Sequence, residues 1–203
     1  MLRFIVLLAL LLGVAPLASH AQLAVAPPVD SATARLALAS AARQFPKFTR
    51  ALQLLQQQDT LLRQVVLVQP ARPAGPAAAS PTGVVRLDVR YLLQLQPDFD
   101  DDRLVVVLYH EIGHLHYYLR VPPGQRTPMA SERAAFDYSL LKTRELAVAG
   151  DCGPLRKGVY FMRLRSESSD VADPHVRALK QLVQEPAYAE YQRYIATRCG
   201  VKP

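Results

Sequence analysis

The chain has 203 residues, a formal net charge of +7, half of its residues in the hydrophobic set and 20% charged. That length and apolar content support one folded domain and exclude a disordered or fibrous chain. The basic residues are dispersed, with no Lys/Arg run and no interleaved aromatic platform, which argues for a solvated basic surface and against nucleic-acid binding.

The first 21 residues, MLRFIVLLALLLGVAPLASHA, have the layout of a secretory signal peptide. Arg3 supplies the positive start, Phe4 to Val14 the apolar stretch, and Ser19-His20-Ala21 a small-x-small end before Gln22. The apolar run is short of the roughly 20 residues that span a bilayer, so a cleaved signal is expected rather than an uncleaved anchor. No stable membrane span is expected afterwards, and removing Arg3 lowers the formal charge to +6. The expected location is exported, periplasmic or secreted. Cys152 and Cys199 are the only cysteines. In an oxidising compartment they are a candidate disulfide, with two free thiols or a metal-binding pair as alternatives.

Residues 22–203 read as one domain. SATARLALASAARQF, preceded by Asp30 as an N-cap, predicts a helix to about Gln44, and PKFTRALQLLQQQ predicts a second with Pro46 in its first turn. RQVVLVQ predicts a strand. The Pro/Ala/Gly-rich segment 70–83 predicts a loop. GVVRLDVRY alternates, with Val85, Leu87, Val89 and Tyr91 on one face and Arg86, Asp88 and Arg90 on the other, as a half-exposed strand does. Acidic residues 98–102 predict the start of a helix running to about Leu119. Another helix is expected from Ser131 to Ala149, closed by Gly150. GVYFMRLR predicts a short extended piece, and two helical patterns begin at Pro174 and Pro186. The layout is α+β: mainly helical, with a small sheet of two or three strands packed on the helix from residue 103.

That helix carries VVVLYHEIGHLHYYLR. His110-Glu111-x-x-His114 places two imidazoles four residues apart, about 40° and one turn from each other, where both can take corners of one metal tetrahedron. Glu111 lies about 100° round and is set beside the metal, able to take a proton from polarised water. A shuffled chain of this composition would contain the pattern roughly 0.4% of the time. The residues around it are uncharged, so the helix is expected to be buried, and a buried glutamate between histidines needs a partner. The alternative is a hydrogen-bonded His/Glu core cluster without metal. Gly113 costs a helix interior about 1 kcal/mol relative to alanine and would admit a close backbone. His116 points away from the other two.

The stretch resembles the active-site helix of zincin metallopeptidases, over Leu104 to about Glu145. The resemblance implies an α+β fold, bound Zn2+, a peptide or protein substrate, and an upstream strand that binds substrate along its edge, for which GVVRLDVRY is in the right order. Tyr117 and Arg120 occupy the places a metzincin would need, so the resemblance is to the gluzincin-like form, whose third ligand is a glutamate of the next helix. Glu132 stands there, with Ala135 a turn later to allow close packing; its alternative is a surface glutamate favoured by the helix dipole. An aspartate four residues after that ligand is common in the family, but Phe136 takes the place here and Asp137 comes one residue late. Asp137, His175 and Tyr160 are candidates for outer support or for an oxyanion donor, as are Tyr117 and Tyr138. The expected activity is that of an exported zinc-dependent peptidase, with His110, His114 and Glu132 on the metal and Glu111 as general base. The alternative is an exported binding or scaffold protein whose metal site is structural or vestigial. Glu111 favours the enzyme, because a structural site has no use for a base.

Overall fold

Residues 23, 25–72 and 75–200 are described in a computed structural model; the expected signal segment, residues 1–21, lies outside them. Helices α1 (Ser31–Gln44) and α2 (Pro46–Gln58) lead into strand β1 (Gln64–Val68). Strands β2 (Ala77–Ala79) and β3 (Val84–Asp88) follow, then the single turn α3 (Arg90–Leu93). The second half is helical: α4 (Asp101–Arg120), α5 (Pro128–Val148), α6 (Gly153–Ser166), α7 (Pro174–Leu182) and α8 (Pro186–Arg198). The fold is α+β and mainly helical, as composition and pattern imply.

The sheet runs β1-β3-β2, with β3 parallel to β1 and antiparallel to β2. Two expectations are corrected here. The stretch 84–91 is not an edge strand: β3 is central, ends at Asp88, and turns into α3, which takes Tyr91 off the strand face. Asp88 is fully buried on it and is paired with Arg90, whose Nη2 is 2.5 Å away. The edge strand comes instead from the segment read as loop. Alanines give little strand signal, yet Ala77 and Ala78 are 2% and 5% exposed because their small side chains let the backbone settle against α4.

The stretch 158–165 is helical, not extended. Its β-branched and aromatic residues suggest a strand, but Leu155, Val159, Met162 and Ser166 recur at helical spacing and are buried. Burying that face outweighs local preference.

Helix α4 runs between two apolar clusters, which is why it is buried nearly all round. On one side Val105, Leu108, Ile112 and Leu115 pack with Phe45, Phe48 and the sheet residues Val85 and Leu87. On the other, Val106 joins Leu140, Leu155, Met162, Leu179 and Tyr188. The acidic start of α4 does more than cap its own helix. Asp100 accepts from the N–H of Arg103 at 2.9 Å. Asp101 accepts the free N–H groups of Lys47 and Phe48 at 2.9 and 2.8 Å, capping α2, whose own N-cap residue, Phe45, cannot do so. Lys47 bridges Asp102 and Asp151 at 2.7 and 2.8 Å.

Cys152 and Cys199 form a disulfide that ties the start of α6 to the end of α8. Closing a loop with a 47-residue separation contributes about 4 kcal/mol in the chain-entropy account. Among the described residues no helix is long and apolar enough to cross a membrane.

Replacing Asp101 by alanine leaves two α2 donors without their acceptor. Thermal unfolding of Asp101→Ala is expected to show a loss of about 1–2 kcal/mol; an unchanged melting temperature would show that solvent replaces the cap.

Candidate metal centre

Three helices deliver side chains to one point. From α4, His110 and His114 project from one face. From the second turn of α5 comes Glu132, and from the first turn of α7 comes His175. All three helix starts follow from local chemistry. Thr127 caps α5 ahead of Pro128, and Asp173 caps α7 ahead of Pro174 by accepting the N–H of His175 at 2.8 Å.

The close approach of α4 and α5 depends on Gly113. A Cβ there would stand 2.7 Å from Ala135 Cα and 2.9 Å from Tyr138 Cβ. The expected role of this small residue is what the packing shows, and it brings Glu132, one turn before Ala135, onto the histidines.

Glu132 Oε2 is 3.1 Å from His110 Nε2, 3.6 Å from His114 Nε2 and 3.0 Å from His175 Nε2, and the two α4 imidazole nitrogens are 3.1 Å apart. Donors about 2.0–2.1 Å from a tetrahedral ion would be about 3.3–3.4 Å from one another. The observed spacings straddle that edge. His110, Glu132 and His175 could hold a metal ion, and His114 points its Nε2 at the same place. His110, His114 and Glu132 are 7%, 4% and 7% exposed.

Behind these atoms stand partners that fix ring orientation, as metal-binding imidazoles require. His114 Nδ1 is 2.8 Å from Ser131 Oγ. His175 Nδ1 is 2.9 Å from Asp173 Oδ1, and Asp173 is itself held by Arg165 at 2.5 Å. Burial works against a charge on Glu132, but hydrogen bonds from His110 and His175 outweigh it and hold the carboxyl well below its usual range. Burial likewise opposes charge on His175; Asp173 and Glu132 overcome it and raise the imidazole to about 9.

Glu111 is 2% exposed and faces a different environment. Burial pushes it up to about 7; the charge of Glu132 adds to this, while His110, His175 and the N–H of Ala79 on β2 oppose it. Its Oε2 is buried without a hydrogen-bond partner among the described residues, as is His110 Nδ1. An orphaned carboxylate oxygen next to converging nitrogens is unusual in a settled core and fits a residue kept for a ligand. His110 and Glu111 open onto a cavity of about 320 Å³, bounded on the far side by Phe161, Met162 and Arg165.

Comparison with family models, with curated proteins and with solved structures finds no match to this chain.

The other candidates fall into place by their contacts. Asp137 does not reach a histidine: it pairs with Arg133 at 3.0 Å, and Arg133 also binds Glu185. The residue one position earlier, Phe136, packs its ring on His110 at 4.5 Å, so an aromatic stands where a carboxylate would support that imidazole. Tyr160 is 65% exposed on α6 and lies outside the cavity lining. The Tyr117 hydroxyl accepts the N–H of Thr127 at 3.2 Å and ties α4 to the start of α5. Tyr138 stacks on His116, which turns away from the site toward Asp59 at 3.3 Å. His175, expected only as a donor or outer support, joins the cluster itself.

Tyr118 was not singled out from the sequence. Its ring lies parallel to that of His114 with centroids 6.1 Å apart. Burial raises its phenol, which also interacts with Ser131 and feels the charges of Glu111 and Glu132. The spacing 110, 114, 118 repeats by four, so helical periodicity already placed Tyr118 on the same side as the two histidines.

Gly113→Ala would gain helix propensity and lose close packing. The crowded backbone decides the sign, and a net loss of about 1–3 kcal/mol is expected. Chemical denaturation measures it; an equal or higher midpoint would show that α4 and α5 have room to separate.

Proposed function

We propose that the chain is an exported zinc-dependent hydrolase whose substrate is a peptide or protein. The observation that carries this reading is Glu111. It is a buried carboxylate with an unpartnered oxygen, next to converging metal-ligand atoms and open to a cavity. A donor set of imidazole nitrogens and one carboxylate oxygen at tetrahedral spacing suits zinc over magnesium or calcium, which take oxygen shells. His110, His114 and Glu132 would hold the ion. When bound, zinc supplies Lewis acidity, polarising a carbonyl and acidifying water.

The chain's own residues do the rest in this reading. Glu111 Oε2 accepts a proton from the attacking water, then delivers it to the departing amine. Its elevated proton affinity suits both halves of that task. His175, whose Nε2–H donates to Glu132 Oε2, lines the cavity and would turn that donor to the substrate oxygen where negative charge develops. Export is supported by residues 1–21 and by the Cys152–Cys199 bridge, since structural disulfides persist in oxidising compartments.

One observation favours a second reading. If His175 is a ligand, four protein donors close the tetrahedron, as in structural zinc sites, and the chain is a binding or scaffold protein.

The two readings part on two variants. For the hydrolase, Glu111→Gln and His175→Ala both keep about one zinc per chain and lose hydrolysis of a peptide library by about 10²- to 10⁴-fold. For the closed site, His175→Ala loses zinc and wild type hydrolyses nothing. In either case His110→Ala and Glu132→Ala should bind little zinc by elemental analysis; full zinc in Glu132→Ala would remove it from the ligand set.

A further inference from the structure

The cavity beside Glu111 continues along α4 away from the ligand cluster. Arg103, Val106, Val107 and His110 all line it, at the i, i+3, i+4 and i+7 positions of one helical face. Arg103 sits seven residues before His110, about 10 Å along the helix axis.

The other cations of the lining already have acids. Lys157 pairs with Asp100 at 2.5 Å and Arg165 with Asp173 at 2.5 Å. Arg103 has no ion pair among the described residues. Its Nη1 donates to the Asp98 carbonyl at 2.8 Å, its Nε is buried without a partner, and its guanidinium lies between the rings of Phe99 and Phe161, 3.9 and 3.6 Å from their centroids. Two aromatic faces hold the plane of the guanidinium fixed while its edge remains to be bonded. Of the two acids whose charges it feels, Asp98 and Asp100, the second is spent on capping α4 and on Lys157, and neither forms an ion pair with it among the described residues. A partly buried cation without a directly paired anion is costly, and burial lowers the proton affinity of this one against the opposing charges of Asp98 and Asp100.

We propose that this cavity takes a carboxylate of the substrate, an acidic side chain or the peptide's own C-terminus, and that Arg103 binds it one or two residues from the bond held at the metal centre. A residue or two of extended chain covers about 3.3–7 Å, and the Arg103 side chain can meet it across the remainder. This rests on the peptide-hydrolase reading for its substrate, but the binding it describes does not need turnover. Arg103 is a specificity residue here, with no part in proton transfer.

The test uses four acetylated peptides, Ala-Ala-Phe-Xaa-Ala-Ala amides with Xaa as Glu, Gln or Lys, and Ala-Ala-Phe-Gln with a free C-terminus. Binding to zinc-loaded Glu111→Gln and to metal-free wild type is measured by calorimetry, and cleavage by wild type is followed by mass spectrometry. The Glu peptide or the free acid should bind about tenfold more tightly than the Gln amide, the gain of one charge-assisted bidentate contact. Which of the two does so distinguishes side chain from terminus. The preference should vanish in Arg103→Gln on the Glu111→Gln background. Should that variant not fold, the preferred peptide must still slow dicarbonyl modification of Arg103 in metal-free wild type. Equal binding of all four peptides, a preference that survives Arg103→Gln, unslowed modification, or no binding at all each overturns the proposal. Equal cleavage of all four removes the carboxylate pocket and leaves the hydrolase standing. A carboxylate preference without any cleavage supports the pocket and removes the hydrolase.

Discussion

The contact between Gly113 and Ala135 sets the geometry on which the candidate site depends. Only where one helix lacks a Cβ, and the other carries the smallest one, can α4 and α5 come this close. The glutamate one turn before the crossing then reaches the two imidazoles that stand three residues before Gly113 and one residue after it. A larger residue at the crossing would move Glu132 away from His110 and His114 together, because the α5 helix moves as a rigid body. The polar cluster is therefore tied to the apolar packing, and the two clusters flanking α4 hold its orientation from both sides.

The electrostatics follow from that packing. Within a few ångströms, two buried glutamates are driven in opposite directions. Glu132 is surrounded by ring nitrogens and stays charged; Glu111, a residue with no hydrogen-bond partner for its second oxygen, is pushed toward neutrality. Such a division is what a site needs when one carboxylate must stay fixed and another must accept and release a proton. It arises without any special residue, from which way each side chain leaves its helix.

Much of this was legible in the residues and some was not. The spacing of His110 and His114 gave the shared face, and Glu132 was pointed to by the resemblance to gluzincin-like sites, with Ala135 a turn later to allow close packing. The α+β class and most helix positions followed from periodicity and caps. What was missed shares a cause: information carried by distant partners. β2 was hidden because alanines signal nothing locally and become a strand only through pairing with β3. Helix α6 was misread because its strand-like residues are overruled by the face buried against α4, α5 and α7. His175 joins the cluster across 65 residues, a contact that no local pattern encodes, though the Asp173-Pro174-His175 start of a helix marked where its ring would be held. Asp137 was weighed for its type and place, whereas Arg133 on the same helix had first claim on it.

The disulfide gives the cluster an asymmetry. Cys152 and Cys199 enclose a covalent ring of chain, and Asp173 and His175 lie inside it while His110, His114 and Glu132 lie outside. Three of the converging groups are thus held by helix packing alone, and the fourth by a segment fastened at both ends. Reduction of the bridge would slacken the hold on one imidazole and leave the other two where α4 puts them. The thiol chemistry of the surroundings would then reach the centre through a single residue.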